Sequence, residues 1–277
     1  MKKCCDLHTH SCFSDGTLTP AQLIRLAEEV GLSAVALCDH NTVAGLPEFV
    51  KAGRESTVEA VPGIEFSTEY RGKELHILGL FIQKQHYEAV NELLADALKR
   101  KKQSNIALVK KLAEQGLPVR YEAIEAEAGG TVNRAVIGAY LVRQGFCGSM
   151  EEAFGRWLEL DRGFYVPPKR PDALETVRFI KSIGAVAVLA HPLLSLEVTM
   201  LREFLSQAKE LDGMEVYYSK FSPEQTALLE QIAAEFGLVK SGGSDFHGSN
   251  KPDIRMGSGW GTLAVPAACL EELKKRR

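Results

Sequence analysis

The chain has 277 residues, of which 45% are hydrophobic and 25% charged, and a formal net charge of −3. That length suits one barrel-sized domain or two smaller ones, with enough apolar residue for a large core, so bound metals would serve function more than stability. The charge argues against a general nucleic-acid binder, which is ordinarily basic, but leaves room for a small phosphorylated ligand held by a few local arginines.

Met1-Lys2-Lys3 carries the charges of a signal peptide without the apolar run that should follow. No stretch approaches the roughly 18 consecutive apolar residues of a membrane span, so a cytoplasmic protein with no membrane partner is expected. The strand candidate Cys4–His8 comes first, then a helix opened by Thr19 as N-cap and Pro20 at its first position, running to about Val30. Leu32–Cys38 and Thr57–Glu65 read as buried strands, and Glu74–Phe81 as the return arm of a hairpin. From Tyr87 to Trp157 the pattern is helical and strand signals are almost absent. After it come a helix near Asp172–Ile183, the strand Ala185–Ala190, a helix near Met200–Leu211, the strand Met214–Tyr218, the helix Pro223–Phe236 and the strand Leu238–Ser241. Strands alternating with helices predict an α/β fold with parallel strands. Residues 1–86 and 166–277 are expected to build it, with 87–165 as a helical insertion capping the site. The basic run Lys99-Arg100-Lys101-Lys102 in that insertion reads as a solvated helix face, or as a rim that attracts phosphate.

Six of the seven histidines fall in short motifs that also carry acids, and only His86 stands apart. His8 and His10 end the first strand, and Asp39-His40 follows the second. Glu65 closes the third, His191 follows Val186–Ala190, and Asp245 and His247 come after Ser241-Gly242-Gly243-Ser244. These are C-terminal strand ends, the face where α/β barrels assemble active sites, and His76 on the hairpin arm can reach the same mouth. In extended chain, residues i and i+2 point the same way, so His8 and His10 can bind one ion, as can Asp245 and His247. Imidazole with carboxylate, and no thiolate, suits Zn, Mn or Fe. The six cysteines form no CxxC pair and read as reduced thiols; Cys5 and Cys38 lie near enough to the ligand candidates for an incidental metal contact. Gly242 and Gly243 read either as a close backbone approach or as a plain turn.

DLHTHSCFSDG (6–16), CDHNT (38–42), GIEFS (63–67), ELHILG (74–79), LAHP (189–192) and SGGSDFHG (241–248) together resemble the polymerase-and-histidinol-phosphatase (PHP) family of metal-dependent phosphoesterases. The resemblance spans nearly the whole chain and implies a distorted seven-stranded β/α (TIM-like) barrel. It also implies two to three divalent ions: a first on His8, His10, Glu65 and Asp245, a second bridged by Glu65 to His76 and His191, and a third on Asp15, His40 and His247. Without it, Ser14-Asp15-Gly16 is simply a good turn. Asp39 is expected to orient an imidazole from behind the ligands. Asn133-Arg134 and Phe164-Tyr165-Val166-Pro167 are similar to the insertion of the subgroup acting on nucleoside monophosphates, 3′,5′-bisphosphonucleotides or short RNA ends. Many relatives carry Arg-Pro-His-Ile where this chain has Arg134-Ala135-Val136-Ile137, a departure that bears on the substrate.

The implied activity is hydrolysis of a nucleotide phosphomonoester by a metal-bridged hydroxide, with Asp245, His247 and Arg134 as the catalytic residues. Arg134 would grip phosphate through its planar fork, or else form a salt bridge between insertion and barrel. Lys169 and Arg170 could contact phosphate or be exposed loop charges. Tyr218 is a substrate-binding candidate; Tyr217, Lys220 and Arg255 are weaker ones. A 5′-3′ exoribonuclease or phosphodiesterase on short nucleic acids shares the same chemistry and is the alternative. Histidinol-phosphate hydrolysis and a non-catalytic metal-binding module come after it. GxSxG, P-loop and dinucleotide fingerprints are missing.

Overall fold

The computed structural model describes residues 4–128 and 132–277; the charged start Met1–Lys3 lies outside them. Strand β1 (Cys4–Thr9) leads to helix α1 (Pro20–Glu29), β2 (Ala34–Leu37), α2 (Leu46–Gly53), and the long hairpin β3 (Glu59–Tyr70) and β4 (Lys73–Leu80). The insertion holds α3 (Tyr87–Glu114), α4 (Tyr121–Ala128), α5 (Arg134–Arg143) and α6 (Met150–Ala153), the last running into a π-helical turn, Phe154–Leu158. Then follow α7 (Ala173–Ser182), β5 (Val186–Leu189), α8 (Pro192–Ser195), α9 (Val198–Gln207), β6 (Gly213–Tyr218), α10 (Pro223–Glu235), β7 (Val239–Gly243), β8 (Val265–Pro266) and α11 (Ala267–Lys274). Helix α1 starts at Pro20 as expected, because Thr19 and Gln22 exchange side-chain-to-backbone hydrogen bonds in a capping box. Helices α2, α8 and α11 are additions to the expected elements.

The strands form one sheet in the order β7-β6-β5-β4-β3-β2-β1-β8. It is parallel except where β4 runs against β3 and β5, and where β8 runs against β1. Seven strands make the expected barrel wall; the eighth is two residues long and pairs only with Cys4 and Cys5 at the lower end of β1. At the upper end β1 meets the chain leaving β7 instead: Asp245 N–H donates to His8 O and His10 N–H to Phe246 O, both at 2.9 Å. A ring of strands is thus nearly closed, with different partners at top and bottom of β1.

Two apolar layers follow from strand alternation. Cys5, Leu7, Ala34, Ala36, Leu78, Val186 and Val188 fill the interior, with Leu270 and Leu273 of α11 against them. Val35, Leu37, Ile64, Phe66, Leu189 and Val216 face outward to the helices. The register of β1 shifts between Asp6, opposite Val35, and Thr9, opposite Leu37. Three steps on β1 therefore match two on β2, a bulge. It lets Leu7 join the interior and still turns His8 and His10 towards the mouth. The insertion has its own core, including Leu108, Leu112, Ile124, Ile137, Leu141, Trp157 and Tyr165. Among its described residues, 87–165 contain no strand.

Candidate metal centre

Four overlapping groups of side chains converge at the barrel mouth, each with ligand atoms within 4.8 Å of one another: His8, His10 and Asp245; His8, Glu65 and His191; His40, Glu65 and His76; and His10, Asp15, His40 and His247. All nine expected ligands are brought together, in groups that share His8, His10, His40 and Glu65. Glu65 falls in one group with His8 and His191 and in another with His40 and His76, and His10 belongs both with His8 and Asp245 and with Asp15, His40 and His247. His10 and His247 stack at 4.1 Å between ring centroids.

Glu65 is not at the end of its strand. β3 continues five residues beyond it to Tyr70, pairing with β4 so that Ser67 faces His76. That longer hairpin brings His76 to the mouth near the start of an antiparallel strand, not at a C-terminal strand end. Glu65 Oε1 lies 2.8 Å from His76 Nδ1 and 3.0 Å from His191 Nε2; its Oε2 lies 2.9 Å from His40 Nδ1. Burial works to raise the Glu65 pKa, but His40, His76 and His8 outweigh it and hold the carboxyl well below its usual range. Asp245 is likewise held well down, against burial, by Lys251 and His247, and Asp15 by His40 and His247. His10 is depressed well below an ordinary imidazole by burial and by its neighbours His247 and His40.

Buried polar groups normally find partners. Among the described residues eight buried side-chain N or O atoms have none, and six of them are here: His8 Nε2, both ring nitrogens of His10, His40 Nδ1, Glu65 Oε2 and His191 Nδ1. Lone-pair donors left without hydrogen-bond partners, facing one another across a few ångströms, fit divalent cations. Three residues beside or within the set hold left-handed backbone: Asn41 at φ 53°, His191 at φ 25° and Asp245 at φ 57°. Non-glycine residues adopt this region only where the surroundings impose it.

Gly242 and Gly243 resolve in favour of close approach. A Cβ on Gly243 would stand 2.4 Å from His8 Cβ, and one on Gly242 2.3 Å from Tyr217 O. Asp39 does not orient an imidazole. Its carboxylate accepts from Ser11 N–H, Ser11 Oγ and Ser14 Oγ at 2.6–2.7 Å, tying down the loop that carries Asp15. The imidazole is oriented by Glu215, which sequence reading passed over: its Oε1 takes the His8 Nδ1–H at 2.9 Å. Tyr218 donates its hydroxyl to Asp245 Oδ2 at 2.8 Å and is buried, so it supports a ligand candidate instead of presenting a group to substrate. Lys251 donates to the same oxygen. Tyr217 turns to Glu230 on α10, and Lys220 and Arg255 are exposed. Cys5 and Cys38 belong to the barrel interior and to none of the four groups; none of the six cysteines is in a disulfide.

Beside the centre, a cavity of about 220 Å³ is lined by His40, Glu74, His76, Lys101, Asn133, Arg134, Tyr165 and Arg170, among others. Among the described residues Arg134 makes no insertion-to-barrel salt bridge; it donates to Leu158 O and lies over the Tyr165 ring at 4.6 Å. Arg170 pairs with Glu74 at 2.7 Å, whereas Lys169 is exposed and lines a neighbouring hollow. Burial works against ionisation of Glu74, but its bond to His76 and the charges of His76, Arg170 and Arg134 bring its pKa down to about 2. The basic run of α3 divides: Lys102 pairs with Glu125, Arg100 donates to Lys169 O, and Lys101 turns into the cavity. Asn133 caps α5 with its side-chain oxygen and donates to Asp15 Oδ2, a hydrogen bond joining insertion and barrel.

An α/β barrel whose mouth gathers six imidazoles and three carboxylates is the scaffold of a metal-dependent hydrolase. The chain belongs to the PHP domain family, whose model matches residues 6–166. It is similar to a 5′-3′ exoribonuclease of Haemophilus influenzae, 35% identical over 89% of this chain and 91% of that one. A 3′,5′-nucleoside bisphosphate phosphatase of Chromobacterium violaceum is 27% identical over 87% and 86%. Among solved structures, a metal-dependent phosphoesterase of Bifidobacterium adolescentis superposes with a TM-score of 0.87 at 28% identity, covering 99% of this chain and 96% of that one. The chain is therefore a metal-dependent phosphoesterase. Among the described residues no helix is long and apolar enough to cross a membrane.

Proposed function

We propose that this phosphoesterase hydrolyses phosphate esters of nucleotides, with a mononucleotide or 3′,5′-bisphosphonucleotide as substrate. His8, His10, Asp15, His40, Glu65, His76, His191, Asp245 and His247 are its metal ligands, for two to three ions. The observation that carries the substrate reading is the cavity where His40 and His76 meet Lys101, Arg134 and Arg170. Lys101 has neither a hydrogen bond nor an ion pair among the described residues. Burial depresses its pKa, Arg170 adds to the effect, and Asp15 and Glu74 oppose it. A sheltered cation without a partner calls for an anion, and a phosphoryl group supplies one. At about 220 Å³ the cavity suits a single nucleotide unit better than a strand.

Divalent ions bound by the nine ligands would polarise phosphoryl oxygens and acidify water to about pKa 7. The protein's part is to orient. Arg134 and Lys101 draw the ester to the mouth, Asp245 and His247 hold the reacting edge, and the insertion shields the site from bulk water. The same geometry accommodates the terminal nucleotide of a short RNA. The 35% identity to an exoribonuclease favours that second reading.

The test is phosphate release by metal-loaded protein from AMP, adenosine 3′,5′-bisphosphate, histidinol phosphate and a short 5′-phosphorylated RNA, beside a chelated sample and Glu65→Ala. Chelator-sensitive release from the nucleotides is expected. Shortened RNA with little release from mononucleotides would replace the first reading by the second. Silence across the panel with metals bound would refute both.

A further inference from the structure

Glu215 is the one acid in the buried run of β6, and it is wholly inaccessible to solvent. Such a group is costly unless both its oxygens are satisfied. They are, by a side chain of β1 and by the backbone just past β5. Oε1 takes the proton of His8 Nδ1 at 2.9 Å, and Oε2 takes the backbone N–H of His191 at 2.7 Å. The first bond puts the proton of His8 on Nδ1 and leaves Nε2, which has no hydrogen-bond partner, facing Glu65 at 3.4 Å. The second bond fixes the backbone at the residue whose φ of 25° no ordinary β-to-helix junction requires. That twist turns the His191 ring to put Nε2 3.0 Å from Glu65 Oε1.

We infer that Glu215 is a positioning residue for the metal centre, setting the His8 tautomer through one oxygen and the left-handed backbone of His191 through the other. It rests on the metal centre proposed above and is independent of which ester is cleaved. His8 and His191 share one of the two groups that contain Glu65, so one carboxylate governs two of that group's three members. The group of His10, Asp15, His40 and His247 has no such dependence on Glu215. An amide at 215 offers one acceptor where two donors need one. Either His8 loses the acceptor that holds its tautomer or His191 loses the anchor of its backbone.

The experiment is a competition between the protein and a chromophoric chelator for Zn²⁺ and for Co²⁺, on wild type, Glu215→Gln and Glu215→Asp, with thermal melting of each. Removing a partner from behind a ligand typically costs about 10–100-fold in metal affinity. That loss is expected for the ion at the Glu65 group in both variants, with the Asp15-group ion retained and the cobalt absorption of the weakened site altered. A merely structural role for Glu215 would weaken every ion together as the protein destabilises. Retention of all ions at wild-type affinity in Glu215→Gln would overturn the inference. Nitrogen NMR of ¹⁵N-histidine in zinc-loaded wild type gives a second reading that needs no variant to fold. His8 is expected to carry its proton on Nδ1 and to bind through Nε2, and the opposite pattern would also overturn it. Wild type that binds neither Zn²⁺ nor Co²⁺ would instead remove the metal centre itself.

Discussion

Gly243→Ala tests the closure of the barrel beneath the metal centre. The added methyl carbon would stand 2.4 Å from His8 Cβ, 2.5 Å from His8 N and 2.9 Å from His8 Cα. Carbon atoms rest at about 3.5–4.0 Å, so β1 and β7 must part by roughly 1 Å where Asp245 N–H and His10 N–H bridge them. Neither strand yields easily: the obstacle is backbone, and Asp6 ties both to the loop beyond by accepting from Ser244 N–H, Ser244 Oγ and Gly257 N–H. Overpacking of this kind costs about 1–3 kcal/mol. For a chain of this length that lowers Tm by about 2–10 °C. A displacement of about 1 Å at a ligand strand should also cut activity by about 100-fold. Gly155→Ala is the control, since nothing lies within 4 Å of its added carbon. Melting curves, zinc content and turnover read the three consequences. If Gly243→Ala melts with wild type and takes up as much added Zn²⁺, the close approach does not hold His8 in place.

Lys101→Met should raise KM for the ester by about 10–100-fold, the worth of a charged hydrogen bond at 1.5–3 kcal/mol, with kcat changed far less; an unchanged KM would return Lys101 to a solvated helix face. Tyr218→Phe leaves Lys251 on Asp245 but removes one of its two donors, and zinc affinity should fall by about tenfold while the fold survives; chelator competition reads this. Burial lifts the Cys269 thiol to about 11. A group raised in the folded state stabilises it fully below its unfolded value near 9 and ceases to as pH climbs through 11. Urea midpoints should therefore decline between pH 9 and 11, and less so in Cys269→Ala. At pH 8 the buried Cys5, Cys38, Cys147 and Cys269 should resist alkylation until the protein unfolds.

The candidate ligand set was readable because histidine is scarce and its neighbours were strand-like, so position and chemistry pointed the same way at His8, His10, His40, His191 and His247. The alternation of strands and helices, and the start of α1, followed from periodicity and capping. What escaped depended on three-dimensional company. Glu215 is a lone acid in Met214–Tyr218, a signal that a buried strand carries a charge with a purpose, but nothing local names its partners. Asp39 stands next to His40 in sequence yet bonds Ser11 and Ser14, because β2 ends at Leu37 and the chain turns before reaching it. Four consecutive basic residues on α3 look alike, and only packing of the insertion on the barrel separates Lys101 from its neighbours.

The split partnership of β1 bears on how the molecule comes together. Its upper half waits for residues 245–246 and its lower half for 265–266, so the strand bearing His8, with His10 just beyond it, cannot be secured until almost the whole chain has been made. Contacts of such long sequence separation form late and slowly. Until then His8 and His10 sit on an unpaired edge next to β2, the kind of edge that invites mispairing. A metal that binds only the assembled mouth would add its binding free energy to the final step of folding. Zinc supplied during refolding should raise the yield of native protein more than zinc supplied afterwards.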